Sequence, residues 1–341
     1  MVGQTQIATE INTAAMTEAS TTMEPTTTTE AERKFDRAAG CLAGQFCGDA
    51  YGAQYEFMGK AKIASLMRDN GTDMMGASKV WHTEPGQITD DSEMAVSLAR
   101  SMIDGGGYKA SAATKYYLEW SNSEPFDIGA TCLNGLRGYP NCESQANGAL
   151  MRISTLAVHF AYNNGEGWED CDKYAAADAK ITHPNDICVQ ANILFVRALV
   201  ELISSAVSPR ELNKDMCGWA AEISAHECLR SVVAAADHAA PSDYITKQGW
   251  VVIAFQNAIY QLLHAASPME GIIDTVSCGG DTDTNAAIAG AMLGAHYGYE
   301  AFPKDWLATV QECRPGGLRP RPKAYWVGDI KELTKKTAVV K

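Results

Sequence analysis

A chain of 341 residues with a formal net charge of −13 is long enough for one large domain with an ample core. Its acidity argues against a duplex nucleic-acid binder or a protein docked on an anionic membrane, since both need basic patches, and leaves open a small anionic ligand held by helix N-terminal amides. Ten cysteines fall singly, without a Cys-x-x-Cys pair, and the N-terminus has no secretory or transit pattern, so they read as reduced thiols of a cytoplasmic protein.

Residues 1–31 are rich in Thr, Ala and Glu and are expected to form a disordered tail, able to order only against a partner the sequence does not name. The domain is expected to span 32–328. Its first helix carries Phe35, Ala39, Leu42 and Phe46 at helical spacing, with Gly40, Gly44 and Gly48 every fourth residue. Each glycine costs a helix about 1 kcal/mol, so three in register predict a second helix packed very close. Asp49 is expected to end this helix and to begin a turn that runs to Glu56. Residues 61–87 show no clear period.

A first acidic cluster, Thr89-Asp90-Asp91-Ser92-Glu93, precedes Met94, Leu98 and Met102 at buried-helix spacing. Further helices are expected over 110–120, 127–138 (opened by Asp127), 149–162 and 186–203. The 149–162 helix follows the Asn147-Gly148 turn, where the Gly148 and Ala149 amides could hold an anion. His183, in Thr182-His183-Pro184, sits at a helix start, where it faces either a ligand or solvent. More helices are expected over 221–239, 249–266 and 303–313. Residues 268–277 lead into a second cluster, Gly279-Gly280-Asp281-Thr282-Asp283-Thr284-Asn285, which opens an Ala-rich helix. Cys278 beside it reads as a small buried thiol. Residues 314–325, basic and Pro-rich, are expected to lie extended over the surface, and 329–341 to form a charged tail. No apolar run reaches the length of a bilayer span, and neither strand alternation nor a fixed-period repeat occurs. The expectation is a compact all-α domain of many helices.

Capping explains one carboxylate at a helix start, and an Asp-x-x-Glu capping box is available at Asp90–Glu93. Two pairs of aspartates at two helix starts ask for more. If they meet, four carboxylates repel one another unless a cation sits among them. The donors are hard oxygens, which suit magnesium, manganese or calcium rather than zinc. An EF-hand loop from Asp281 is excluded, because its sixth and twelfth positions hold Ala286 and Met292.

With these stretches in order, the chain resembles the ADP-ribosylglycohydrolase family. The matching blocks are Gly44-x-x-x-Gly48-Asp49-Ala50-x-Gly52 through Glu56, Thr89-Asp90-Asp91, Asp127-Ile128-Gly129 with Thr131, Asn147-Gly148-Ala149-x-Met151-Arg152, and Gly279-Gly280-Asp281-x-Asp283-Thr284, with Thr182-His183-Pro184 before the last. The resemblance implies an all-helical domain of orthogonally packed helices with two Mg²⁺, or Mn²⁺, bound by Thr89, Asp90, Asp91, Asp281, Asp283 and Thr284. It implies Glu56 on a loop over the site, and Glu56, Asp91 and Asp127 in the chemistry. Asp49, Asn147, Gly148, Ala149, Met151, His183, Gly279 and Gly280 would bind substrate, the two glycines by letting backbone approach the sugar. The implied partners are ADP-ribose and an ADP-ribosylated protein, with hydrolysis of the ribose C1″ bond through an oxocarbenium-like state. Arginine is the first candidate linkage, because Asp127 could pair with a guanidinium. Serine-linked or small conjugates, and a non-catalytic binding or immunity role, are the alternatives.

Overall fold

The computed structural model describes residues 28–72, 77–163 and 167–339, so the expected N-terminal tail lies outside the described residues except for its last four. Those four already belong to the domain. Thr29 caps the first helix through a reciprocal capping box with Glu32, which starts the helix at Glu30. In chain order the helices are α1 (Glu30–Gly52), α2 (Lys60–Asn70), α3 (Asp90–Gly105), α4 (Ala110–Ser121), α5 (Ala130–Leu136), α6 (Ser154–Asn163), α7 (Glu169–Thr182) and α8 (Asp186–Ser205). They continue as α9 (Pro209–Glu222), α10 (Glu227–Ala235), α11 (Val251–His264), α12 (Pro268–Ser277), α13 (Thr282–Tyr297), α14 (Lys304–Glu312) and α15 (Ile330–Val339). Among the described residues the only extended pairing is one antiparallel bridge, Ala146 with Trp250. The chain is all-α.

The organising contact is α1 against α13. A Cβ built on Gly44 would lie 1.8 Å from the Gly290 carbonyl oxygen, and one on Gly48 2.1 Å from that of Ala286. Toward the other end, a Cβ on Gly40 would meet the Gly294 oxygen at 2.3 Å, and one on Gly294 would meet that of Gly40 at 1.9 Å. The glycine strip therefore does what its spacing requires: two antiparallel helices touch backbone to backbone. Thr282 through Ala295 are all buried, so α13 has no polar outer face and runs through the centre of the core. Because the pair is antiparallel, the C-terminus of α1 meets the N-terminus of α13.

Several expectations need correcting. The first helix continues past Asp49 to Gly52. The irregular 61–87 stretch contains α2. Residues 149–153 are turns, and α6 begins only at Ser154. The helix expected over 221–239 is the shorter α10, which starts after Ser224 takes a left-handed backbone and the His226 imidazole accepts the Cys228 amide; α9, over Pro209–Glu222, was not expected. The stretch 268–277 is itself a helix, α12. Helix α8 is long and apolar enough to cross a bilayer by composition, against the expectation that no run is, but 78% of its apolar window is buried in the core.

The 314–325 segment is not simply laid over the surface. Arg321 is buried, and its guanidinium meets the Glu93 carboxylate with Nε–Oε1 at 2.8 Å. The Trp120 indole donates to the same carboxylate at 2.7 Å. A buried charge needs a partner of this kind, and Glu93 is thereby engaged away from any capping box. The expected charged tail 329–341 contains α15, whose Ile330, Thr334, Thr337 and Ala338 form a buried face among solvated lysines.

Candidate functional site

Three chain segments converge where α1 ends and α13 begins: the α1 C-terminus with the turn to Glu56, the α3 N-terminus, and the α13 N-terminus. Asp49 ties the first two together. It is fully buried and accepts the Thr89 amide at 3.1 Å, the Thr89 hydroxyl at 2.9 Å and the Ser92 amide at 3.1 Å. A carboxylate from α1 thus caps α3, and neither Thr89 nor Asp281, the residues at the two N-caps, makes a side-chain capping bond. Capping, sufficient for either cluster alone, is not what Asp90, Asp91 and Asp281 do here.

They line one cavity of about 280 Å³. Of the predicted site residues, Glu56, Asp90, Asp91, Asp127, Asn147, Gly148, Met151, His183, Asp281, Asp283 and Thr284 all face it. Asp49, Thr89, Ala149, Gly279 and Gly280 do not. A larger cavity, about 880 Å³, has Glu84 as its one carboxylate and gathers none of the predicted residues.

The electrostatics of the smaller cavity are one-sided. Oxygens of Glu56, Asp281 and Asp283, all buried, lie within 4.8 Å of one another. Burial raises the Glu56 carboxyl to about 8, helped by the Asp127 charge, and raises Asp127 to about 6, helped by that of Asp281. Burial and then neighbouring carboxylates push Asp90, Asp91 and Asp283 well above the ordinary range. Burial also raises Asp281, against a 2.7 Å hydrogen bond donated by the Asn147 amide. No lysine or arginine is among the lining residues, and burial with the nearby Arg152 charge holds His183 neutral, at about 3. Asp91 Oδ1 is buried with no hydrogen-bond partner in the protein. Crowded hard oxygens, an unpartnered carboxylate oxygen and no basic side chain fit a divalent cation. Glu56, expected on a loop above the site, stands among the carboxylates best placed to hold one.

Other residues are placed differently from the expectation. Gly279 and Gly280 both have left-handed backbones, φ 76° and 83°, but the close approach they allow is to the protein. A Cβ on Gly280 would lie 2.0 Å from the Tyr244 oxygen, and one on Gly279 2.5 Å from that of Met58. Gly280 donates to Met58 and accepts from the Phe57 amide at 2.8 Å, which clamps the Glu56 turn onto the start of α13. The Asn147 side chain serves Asp281 rather than facing out freely. Gly148 sits where a Cβ would be 2.7 Å from Cys132 Sγ and 3.0 Å from the His183 ring. His183 Nδ1 pairs with the Thr182 hydroxyl at 2.7 Å, while its buried Nε2 has no partner. Arg152 supports this wall, donating to Asp178, Thr182 and the Gly148 carbonyl.

Sequence reasoning missed Trp81, whose indole N–H donates to Glu56, and the lining residues Phe57, Cys132, Gln248 and Gly249. A glycine just before α11 was the one cue to the last two. Phe57 and Trp81 lie in turns without periodicity, and Cys132 is one of the buried residues of the short helix α5.

A family model described as ADP-ribosylglycohydrolase matches residues 30–339. The ADP-ribosyl-[dinitrogen reductase] glycohydrolase of Rhodospirillum rubrum is 30% identical over 285 residues, covering 81% of this chain and 90% of that one. The ADP-ribosylarginine hydrolase Tri1 of Serratia proteamaculans is 26% identical, covering 83% and 78%. The human ADP-ribosylhydrolase ARH3 is 25% identical, covering 82% and 91%. A solved structure titled "ADP-ribosylglycohydrolase-related protein complex" superimposes with a TM-score of 0.72 at 24% identity, covering 90% of this chain and 98% of that one, which gives the same fold.

Proposed function

The chain belongs to the ADP-ribosylglycohydrolase family and is a glycosyl hydrolase of ADP-ribose conjugates; from that premise we propose that it removes mono-ADP-ribose from arginine side chains of proteins with magnesium as cofactor. The observation that carries the reading is the carboxylate-lined cavity with no basic side chain, flanked by the half-buried Asp127. Glu56, Asp90, Asp91, Asp281, Asp283 and Thr284 would hold the magnesium, with Thr89 supporting them from behind, and two such ions, or manganese in their place, would supply Lewis acidity toward ribose hydroxyls and water.

The protein's own groups do the rest. Asp127 pairs with the guanidinium that leaves, a role for which a serine oxygen has no use. Glu56 and Asp91 are the carboxylates assigned to proton transfer at the glycosidic bond. Trp81 fixes the Glu56 rotamer by donating to it. The neutral His183 presents its unpartnered Nε2, and Gly148 its backbone, to the nucleotide part of the substrate.

The purified protein with Mg²⁺ should release ADP-ribose from an arginine-modified peptide faster than from a serine-modified one, and Asp127→Ala should slow only the former. Equal rates on both, or preference for serine, would favour the O-linked reading. Magnesium binding with turnover of neither would leave a binding protein.

A further inference from the structure

Three aromatic rings form a continuous rim beside the carboxylates. The Phe57 and Trp81 ring centres are 6.4 Å apart and near edge-on, at 65°. Trp81 and Phe126 are 6.0 Å apart. Phe126 immediately precedes Asp127, and Phe57 immediately follows Glu56, so the rim joins the two acids across the cavity mouth. Phe57 lines the cavity yet is 54% exposed, unusual for a phenylalanine the hydrophobic effect would otherwise cover.

Left-handed backbone gathers around the rim. Among the described residues, five non-glycines have a left-handed backbone: Phe57, His82, Glu124, Ala206 and Ser224. Three of the five are Phe57 itself, the neighbour of Trp81, and a residue two before Phe126. Such conformations persist only where surrounding structure holds them, and they gather at ligand sites. The hydrogen bond from the Phe57 amide to the Gly280 carbonyl supplies the hold for that residue, turning its ring outward next to the acids.

We propose that this rim, with Phe57 as its exposed platform, seats the planar cationic end of the modified side chain, an alkylguanidinium, while Asp127 neutralises it. A guanidinium both stacks on aromatic faces and pairs with a carboxylate, whereas a neutral hydroxyl linkage gains little from a ring. The assignment rests on the arginine reading above and adds a specificity residue to it. Trp81 is a poor probe because its indole also holds Glu56; Phe57 makes no such bond and can be changed alone.

The test compares wild type, Phe57→Leu and Phe57→Tyr, each with Mg²⁺. Measured are kcat/KM on an arginine-ADP-ribosylated peptide, the Kd for free ADP-ribose, which lacks the arginine, and Tm as a check on folding. Phe57→Leu should lower kcat/KM about 3- to 30-fold, the range of a cation–π contact. Phe57→Tyr should stay within about 2-fold, since it keeps the ring. Neither should shift the Kd for ADP-ribose. An unchanged kcat/KM for Phe57→Leu, or a Kd for ADP-ribose that weakens in step with it, overturns the assignment. A wild-type protein that binds ADP-ribose but does not turn over the arginine-linked peptide overturns the parent reading, and this one with it.

Discussion

The two ends of one helix pair obey opposite rules. Along the α1–α13 seam, glycine meets glycine or alanine, so contact is as close as backbones allow. At its end, Asp49, Glu56, Asp281 and Asp283 crowd together, joined by Asp90, Asp91 and Asp127, and all seven carboxyls are raised. The seam is built for stability and the end works against it. A tight, side-chain-free crossing leaves the acids no room to move apart, so the repulsion persists for a cation to relieve.

Substitutions at each end should therefore pull in opposite directions. Asp283→Asn removes a buried charge from the crowded end. Activity on an ADP-ribose conjugate should fall on the order of 10³-fold, as when a preorganised charge at a reacting centre is lost. The Tm of the metal-free protein should instead rise by about 2–5 °C. A fall in both would make Asp283 a structural residue and erase the contrast.

Gly44→Ala tests the seam. Alanine offers the helix about 1 kcal/mol, but its methyl would sit 1.8 Å from the Gly290 oxygen, and overpacking costs about 1–3 kcal/mol or more. The urea midpoint should drop. Gly218→Ala, in α9 with nothing within 4 Å of the new methyl, should raise stability by about 0.5–1 kcal/mol. If both variants move the same way, the seam is not the tight contact described.

A smaller effect links pH and magnesium. Asp127, Asp49 and Glu56 sit at about 6, 7 and 8 in the folded state, above ordinary carboxylates. The folded state then binds more protons than the unfolded chain, so this contribution is complete below about pH 4 and fades as pH rises through those values. Without divalent ions, Tm should decline from pH 6 to pH 8. The gain in Tm on adding Mg²⁺ should grow over the same interval, by a few degrees, as competing protons leave. A gain that shrinks with rising pH would contradict the assignment.

Much of this was readable in the residues, for reasons that differ by region. The glycine strip at Gly40, Gly44 and Gly48 has one sensible physical use, and it has that use here. The paired acids at Asp90–Asp91 and Asp281–Asp283 were conspicuous because capping needs only one. Hidden were the roles set by partners far along the chain. Asp49 caps a helix 40 residues on, Asn147 restrains Asp281, and Gly279–Gly280 clamp the Glu56 turn rather than face a sugar. The break at Ser224 has no Gly or Pro to mark it, and α15 was missed because its buried face includes two threonines among lysines.

The most direct measurement is an anomalous difference map from crystals grown with Mn²⁺. The carboxylate convergence requires a peak bounded by Glu56, Asp281 and Asp283, with any second ion on the Asp90–Asp91 side. A clean map there, or manganese bound only at surface acids, would contradict it.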